Sequence, residues 1–200
     1  MISLFRIDFR LLHYQTSQVW PKKLDINMIV VANDAVIQDP LRMSLMKMSA
    51  PANCGLKILS VEKAGLFLMD PKNERRRIEL LVETPKDALR IIRSVPGIQH
   101  LNVALMKGGP GKKMVCPSLA FAPEDYDDLR SIVDLGVKAE SYVTPDERPV
   151  SITSIYKKEK KEITIFIYVV SLKFTRRSGR MEKLMRNSYL TGPVYAFAWS

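Results

Sequence analysis

The sequence predicts an α/β protein: an open, mainly parallel twisted sheet with helices on both faces, followed by an atypical basic C-terminal tail. Three observations carry this. Short β-rich runs alternate with amphipathic stretches over the first 143 residues. "NMIVVA" and "IELLV" are apolar without alternation, as strands covered on both faces are. Strand–helix–strand spacing of this kind suits parallel strands joined by right-handed crossovers.

The elements follow in order. "ISLFRI" reads as strand one. "LLHYQTSQVWPKKL" is helix-like from about Leu11, and Pro21 is expected to limit its end. "NMIVVAND" is strand two. "DPLRMSLMKMSA" starts a helix with Asp39 as N-cap and Pro40 at the first helical position. Leu41, Leu45, Met46 and Met48 should form its apolar stripe, and Met43, Met46 and Met48 are expected to pack in the core. "GLKILSV" is strand three and "EKAGLFLMD" a short helix.

"RRRIELLVE" is strand four. Thr84 caps the next helix, with Pro85 first and Asp87 third, a helix-start signature. "HLNVALM" is strand five, "GGPGKK" a turn, and "MVCPSLAF" a further extended piece. "APEDYDDLRSIVDLG" is a helix with acids in its first turn and Gly136 just past its end. "VKAESYV" is the last strand. After "TPDERPVSI" the pattern breaks, so a boundary is expected at residue 152, with a basic extension over 153–200.

Charge supports that division. Residues 1–150 hold 21 Lys/Arg and 18 Asp/Glu, a net +3, whereas residues 151–200 hold 10 and 3, a net +7. The basic character belongs to the tail, so nucleic acid is not an expected partner of the main domain. Arg6 and Asp8 come too early for a signal-peptide apolar region. The longest apolar run, Ile163–Leu172, is shorter than the roughly 20 residues a membrane helix needs. Cys54 and Cys116 form no CxxC pair and no metal-like spacing with either histidine, so neither a disulfide framework nor a zinc site is expected.

In an open α/β sheet, ligands gather at the carboxyl ends of strands. The loop after strand one, "DFRLLHYQ", is where a histidine, an arginine and an acid converge. A neutral imidazole is a competent nucleophile near pH 7. A phosphoryl group on His13 would carry negative charge that Arg10 and free amides of the following helix could offset. Asp8 could orient an arginine or the imidazole. A lone histidine at a helix start is also an ordinary packing or surface residue, so these residues alone leave both readings open. His100, after the turn "PGIQ", has no orienting neighbour and reads as structural. "GGPG" lacks the spacing of a phosphate loop.

"RIDFRLLHYQ" resembles the "RIDDRLIHGQ" signature of the enzyme IIB component of the mannose/fructose/sorbose class of the bacterial sugar phosphotransferase system. "VANDAVIQDPLRMSLMKMSAP", "ETPKDALRIIRSVPGIQHLNVALMKGGPGKK" and "LGVKAESYVTPDERPVSI" resemble later segments of that family in the same order, so the likeness spans about residues 1–152. It implies an open parallel α/β fold and a phosphoryl relay. His13 would accept the group from a phosphorylated IIA component and pass it to a sugar held by the membrane components IIC and IID. Arg10 and Asp8 would stand on the phosphate side, with Asn33, Asp34 and Gln15 supporting the loop. No metal or organic cofactor is expected. The implied location is cytoplasmic, at the inner membrane face through IIC and IID, and a homodimer is left open. Phe9, Tyr14, Ala104 and Leu105 depart from the family pattern toward apolar residues. A weakened relay or a regulatory binding module on the same fold is therefore the alternative reading.

Overall fold

In the computed structural model, which describes residues 1–155, β1 (Ile2–Asp8) leads through a π-helical turn (Gln15–Val19) into α1 (Trp20–Leu24) and β2 (Met28–Ala32). α2 (Pro40–Ser49) connects to β3 (Gly55–Leu59), α3 (Val61–Met69) to β4 (Ile78–Val82), and α4 (Pro85–Ser94) to β5 (His100–Leu105). A hairpin of β6 (Lys113–Cys116) and β7 (Leu119–Phe121) precedes α5 (Pro123–Asp134), β8 (Lys138–Ser141) and β9 (Val150–Ser151).

Local chemistry sets these boundaries. Asp39 accepts the Arg42 amide at the start of α2, Ser60 the Lys63 amide at α3, and Thr84 the Asp87 amide at α4. Each cap satisfies an amide that the first helical turn leaves without a partner. α5 starts on Pro123 with Glu124 and Asp125 in its first turn, and Gly136 takes the left-handed backbone just past its end (φ +84°). β2 and β4 are buried at every position, as apolar sequences interrupted only by Glu79 in β4 favour.

The main sheet runs β3-β2-β4-β1-β5-β8-β9, parallel except for the β8–β9 pair. The chain moves toward one edge from β1 to β2 to β3, then reverses through β4, β5 and β8. With right-handed crossovers, that reversal puts α1 and α2 on one face and α3, α4 and α5 on the other. The connection leaving β1 therefore departs on the opposite side from those leaving its neighbours β4 and β5. The carboxyl end of β1 is thus the switch point, where such sheets bind ligands.

Three expectations change. Pro21 does not end its helix: the π-helical turn precedes it, it occupies the start of α1, and the chain stays helical to Leu24. A proline in a first turn sacrifices no hydrogen bond. In α2 only Met46 is fully buried, with Met43 partly so, while Leu41, Leu45 and Met48 are exposed. This helix lies toward the edge strand β3, where a narrow contact is enough to cover the sheet. "MVCPSLAF" is a separate antiparallel hairpin, tied to the end of β5 by a bridge between Met106 and Leu119.

The expected extension lies, from Tyr156 onward, outside the described residues, as does the apolar run Ile163–Leu172. No helix among the described residues is long and apolar enough to cross a membrane.

Candidate functional site

The loop after β1 is built around Asp8, the last residue of that strand. Its side chain is fully buried. Asp8 Oδ1 accepts the Arg10 amide at 3.0 Å, and its backbone carbonyl accepts the Leu11 amide at 2.9 Å. This Asx turn folds the chain back over the strand end. Leu11 then adopts the left-handed backbone (φ 54°). A bulky residue rarely sits there, at a cost of order 1–3 kcal/mol. The Leu11 side chain offsets that strain by burying completely among Leu12, Ile26, Ile29, Val31 and Met46.

Thr16 closes the loop. It is fully buried; its hydroxyl lies 2.8 Å from the Leu11 carbonyl and 3.1 Å from the His13 carbonyl, and accepts the His13 amide at 2.9 Å. Thr16→Val keeps the shape and strips these partners. It is expected to lower stability by about 1–3 kcal/mol, the cost of leaving buried polar groups unpaired. Urea unfolding measures it.

These constraints deliver His13 onto Asp8. Its Nε2 lies 2.8 Å from Asp8 Oδ2. The same oxygen accepts from Arg6 Nη2 at 3.0 Å and Nε at 3.2 Å. Arg6 is itself fully buried. Its guanidinium also donates to the Val143 carbonyl at 3.1 Å and lies 5.8 Å from the centre of the Trp20 ring, so the segment after β8 encloses it.

Burial alone would push the Asp8 carboxyl up. The hydrogen bond from His13, the charge of Arg6 and the Arg10 amide outweigh it and hold the carboxyl below its ordinary value. Asp8 is therefore a carboxylate that can only accept, so His13 Nε2 carries a proton, and in the neutral ring the lone pair lies on Nδ1. Among the described residues the ring makes no other side-chain hydrogen bond.

The expected site residues separate into distinct places. Arg10 flanks the loop with a half-exposed side chain, its Nε 3.8 Å from Asp8 Oδ1. Asp8 lies behind the imidazole, its buried carboxylate shared between Arg6 and His13. Asn33 is a loop brace: its Oδ1 accepts the Ala35 and Val36 amides and its Nδ2 donates to Glu83 at 2.7 Å. Asp34 turns away from the histidine, pairing with Arg90 at 2.6 Å and accepting the Val61 amide. Gln15 sits in the π-helical turn with Oε1 buried and unpaired.

The departures from the family pattern leave this geometry whole. Tyr14 has ordinary right-handed helical angles (φ −47°, ψ −46°), so its position demands no glycine, and its ring is exposed. Leu105 serves the loop through its carbonyl, which accepts the Phe9 amide at 3.0 Å, and any side chain leaves that bond intact. The sequence reading missed Arg6 and Thr16 as site residues. A charge two residues before Asp8, flanked by apolar positions of a strand, marks Arg6 as sharing Asp8's face. Nothing local marks Thr16.

A family model described as the sorbose subfamily IIB component of the phosphotransferase system matches residues 2–164. The chain is 32% identical over 151 residues to the sorbose-specific EIIB component of Klebsiella pneumoniae, covering 76% of this chain and 92% of that protein. It is 36% identical over 140 residues to a probable phosphotransferase enzyme IIB component of Streptococcus pyogenes, covering 68% and 86%. The crystal structure of the IIBSor domain of the Klebsiella pneumoniae sorbose permease superposes with a TM-score of 0.76 at 31% identity, over 79% of this chain and 97% of that one.

Proposed function

The chain belongs to the sorbose-subfamily IIB components of the phosphotransferase system, which relay phosphoryl groups in sugar uptake, and we propose that His13 carries the group, through Nδ1. The observation that supports this is the 2.8 Å hydrogen bond between Nε2 and a fully buried Asp8 carboxylate. It occupies one ring nitrogen and leaves the other as the nucleophile.

The steps follow from that tautomer. Nδ1 attacks the phosphorus of a phosphohistidine on IIA in line with the departing nitrogen; the donor P–N bond breaks as the P–Nδ1 bond forms. Asp8 keeps the Nε2 proton and balances charge building on the ring. Arg10, half exposed beside the loop, offsets the charge of the transferring group, the main task in phosphoryl transfer. In the second step a sugar hydroxyl held by IIC and IID attacks the same phosphorus. The P–Nδ1 bond breaks, a P–O bond forms, and the hydroxyl proton leaves toward the sugar-binding component. This reading puts the chain at the cytoplasmic face of the membrane, through its contacts with IIC and IID.

Nuclear magnetic resonance of the 15N-histidine-labelled phosphoprotein tests the assignment. Phosphorylation shifts His13 Nδ1 and leaves Nε2 protonated; a phosphoryl group on Nε2 overturns the mechanism. Tyr14 is expected to face the partners, since its exposed ring adjoins the nucleophile. Tyr14→Gly should change KM for phosphorylated IIA several-fold with kcat retained, measured by steady-state transfer.

A further inference from the structure

Glu79 is the second residue of β4, in "IELLV", fully buried in a strand otherwise apolar. Its Cα partners are Leu4 on β1 and Ile29 on β2. Paired residues of a parallel ladder share a face, and side chains alternate along each strand. Glu79 therefore lies on the same face as Leu4, Arg6 and Asp8, the face on which His13 meets Asp8. Among the described residues, neither of its carboxyl oxygens has a hydrogen-bond partner. The neighbouring Asn102 on β5, paired with Arg6, is buried on that face, and among the described residues neither of its side-chain amide atoms has a partner. One guanidinium thus sits beside a bonded carboxylate, Asp8, and an unbonded acid, Glu79, both buried.

We propose that Glu79 is a positioning residue for His13: as a neutral acid it leaves Arg6 to Asp8, and as a carboxylate it draws the guanidinium away. The proposal rests on the reading of His13 as the phosphoryl carrier. Arg6 has five N–H donors and uses three on Asp8 and Val143. A negative Glu79 competes for the remainder and for the charge itself. Asp8 then loses the arginine that fixes its carboxylate, and the Nε2–H of His13 loses the aligned acceptor that aims Nδ1. Protonated Glu79 is thus the condition for a correctly aimed His13, and its ionisation sets an alkaline limit on phosphoryl acceptance.

The surroundings favour the neutral form at rest. Burial pushes the Glu79 carboxyl well above its ordinary value, the charge of Arg6 opposes that, and Asp8 adds to it. The titratable and charged groups near it are Arg6 and Asp8 on β1, the Cys54 thiol before β3, and, across Arg6, the Tyr142 phenol after β8. Burial and Glu79 push the Cys54 thiol up to about 11, and Tyr142 is likewise raised, so both stay neutral through the physiological range. No other charge takes over the role of Glu79 there.

Glu79→Gln, permanently neutral and of the same shape, is the test, read on the full chain in two ways. The first needs no phosphoryl transfer. The ring resonances of His13, followed by nuclear magnetic resonance against pH, carry a second, alkaline step in the wild type that is absent in Glu79→Gln, and the infrared carbonyl band of a protonated carboxylic acid at neutral pH disappears in the variant. The second is the pH profile of phosphoryl acceptance: the two proteins match at neutral pH, and the wild type falls at least tenfold on the alkaline side while the variant holds. Superimposable His13 titrations, or no protonated-acid band assignable to Glu79, overturn the proposal. A His13 step that depends on Glu79 in a protein that never accepts a phosphoryl group leaves the coupling standing and overturns the reading of His13 as carrier. If Glu79→Gln does not fold, Glu79→Met, of similar length and also uncharged, takes its place with the same expected results.

Discussion

His13→Ala is expected to abolish phosphoryl acceptance. Incubated with phosphorylated IIA, the wild-type chain gains the mass of one phosphoryl group, and acid releases it, because a P–N bond hydrolyses when its nitrogen is protonated. The variant gains nothing. Asp8 and Arg10 cannot substitute: Asp8 is buried behind the ring, and Arg10 has no nucleophilic lone pair. The loop tolerates the change structurally, since Thr16 bonds the main chain of residue 13 rather than its imidazole. Arg6 and the Arg10 amide still hold Asp8, so the variant is expected to fold, and an unchanged circular dichroism spectrum shows that the loss of transfer is chemical. Label retained at wild-type level in His13→Ala would move the carrier elsewhere and remove the basis of the proposed relay.

Arg6→Met is expected to have the largest effect on stability, about 3–5 kcal/mol, the cost of removing one partner of a buried ion pair. Methionine fills much of the space against Trp20 but leaves Asp8 without its buried counter-charge. The pH dependence gives a second signature. Asp8 is held below the ordinary aspartate value of about 3.9, so its contribution is present above that pH and disappears as pH falls through its own folded value. Removing Arg6 takes away one of the interactions holding it low. Acid unfolding of Arg6→Met should therefore begin at a higher pH than in the wild type, as well as from a lower starting stability. Thermal unfolding against pH separates the two effects, and a variant with the wild-type acid limb would mean that Arg6 contributes packing but not charge.

Arg6 also shows why the apolar replacements in the loop do not dismantle the site. Phe9 stands where the family pattern has a second acid, yet the imidazole is held by Asp8, and Asp8 by Arg6 and main-chain amides. Leu105 acts through its carbonyl, and Tyr14 needs no special backbone angles. The weakened or regulatory alternative draws on those positions, and the side chains of Phe9, Tyr14 and Leu105 supply no hydrogen bond to His13 or Asp8 among the described residues.

By itself the sequence determined the order of strands and helices, the caps at Asp39 and Thr84, the parallel character of the sheet and the loop that holds His13. Those features depend on residues within a few positions of one another: apolar runs, a side-chain oxygen ahead of a helix, a proline in a first turn. Tertiary structure alone decided which face of α2 is buried, how the chain passes Pro21, and what holds the histidine. Leu41, Leu45 and Met48 repeat at helical spacing but stay exposed, because a helix near a sheet edge has little to cover. Arg6, Glu79 and Val143 come together because β1, β4 and the segment after β8 meet on one face, across 137 residues of chain between Arg6 and Val143. Sequence spacing carries local hydrogen bonding and periodicity. The charge state of a buried group depends on neighbours brought by other strands, and only the assembled sheet supplies those.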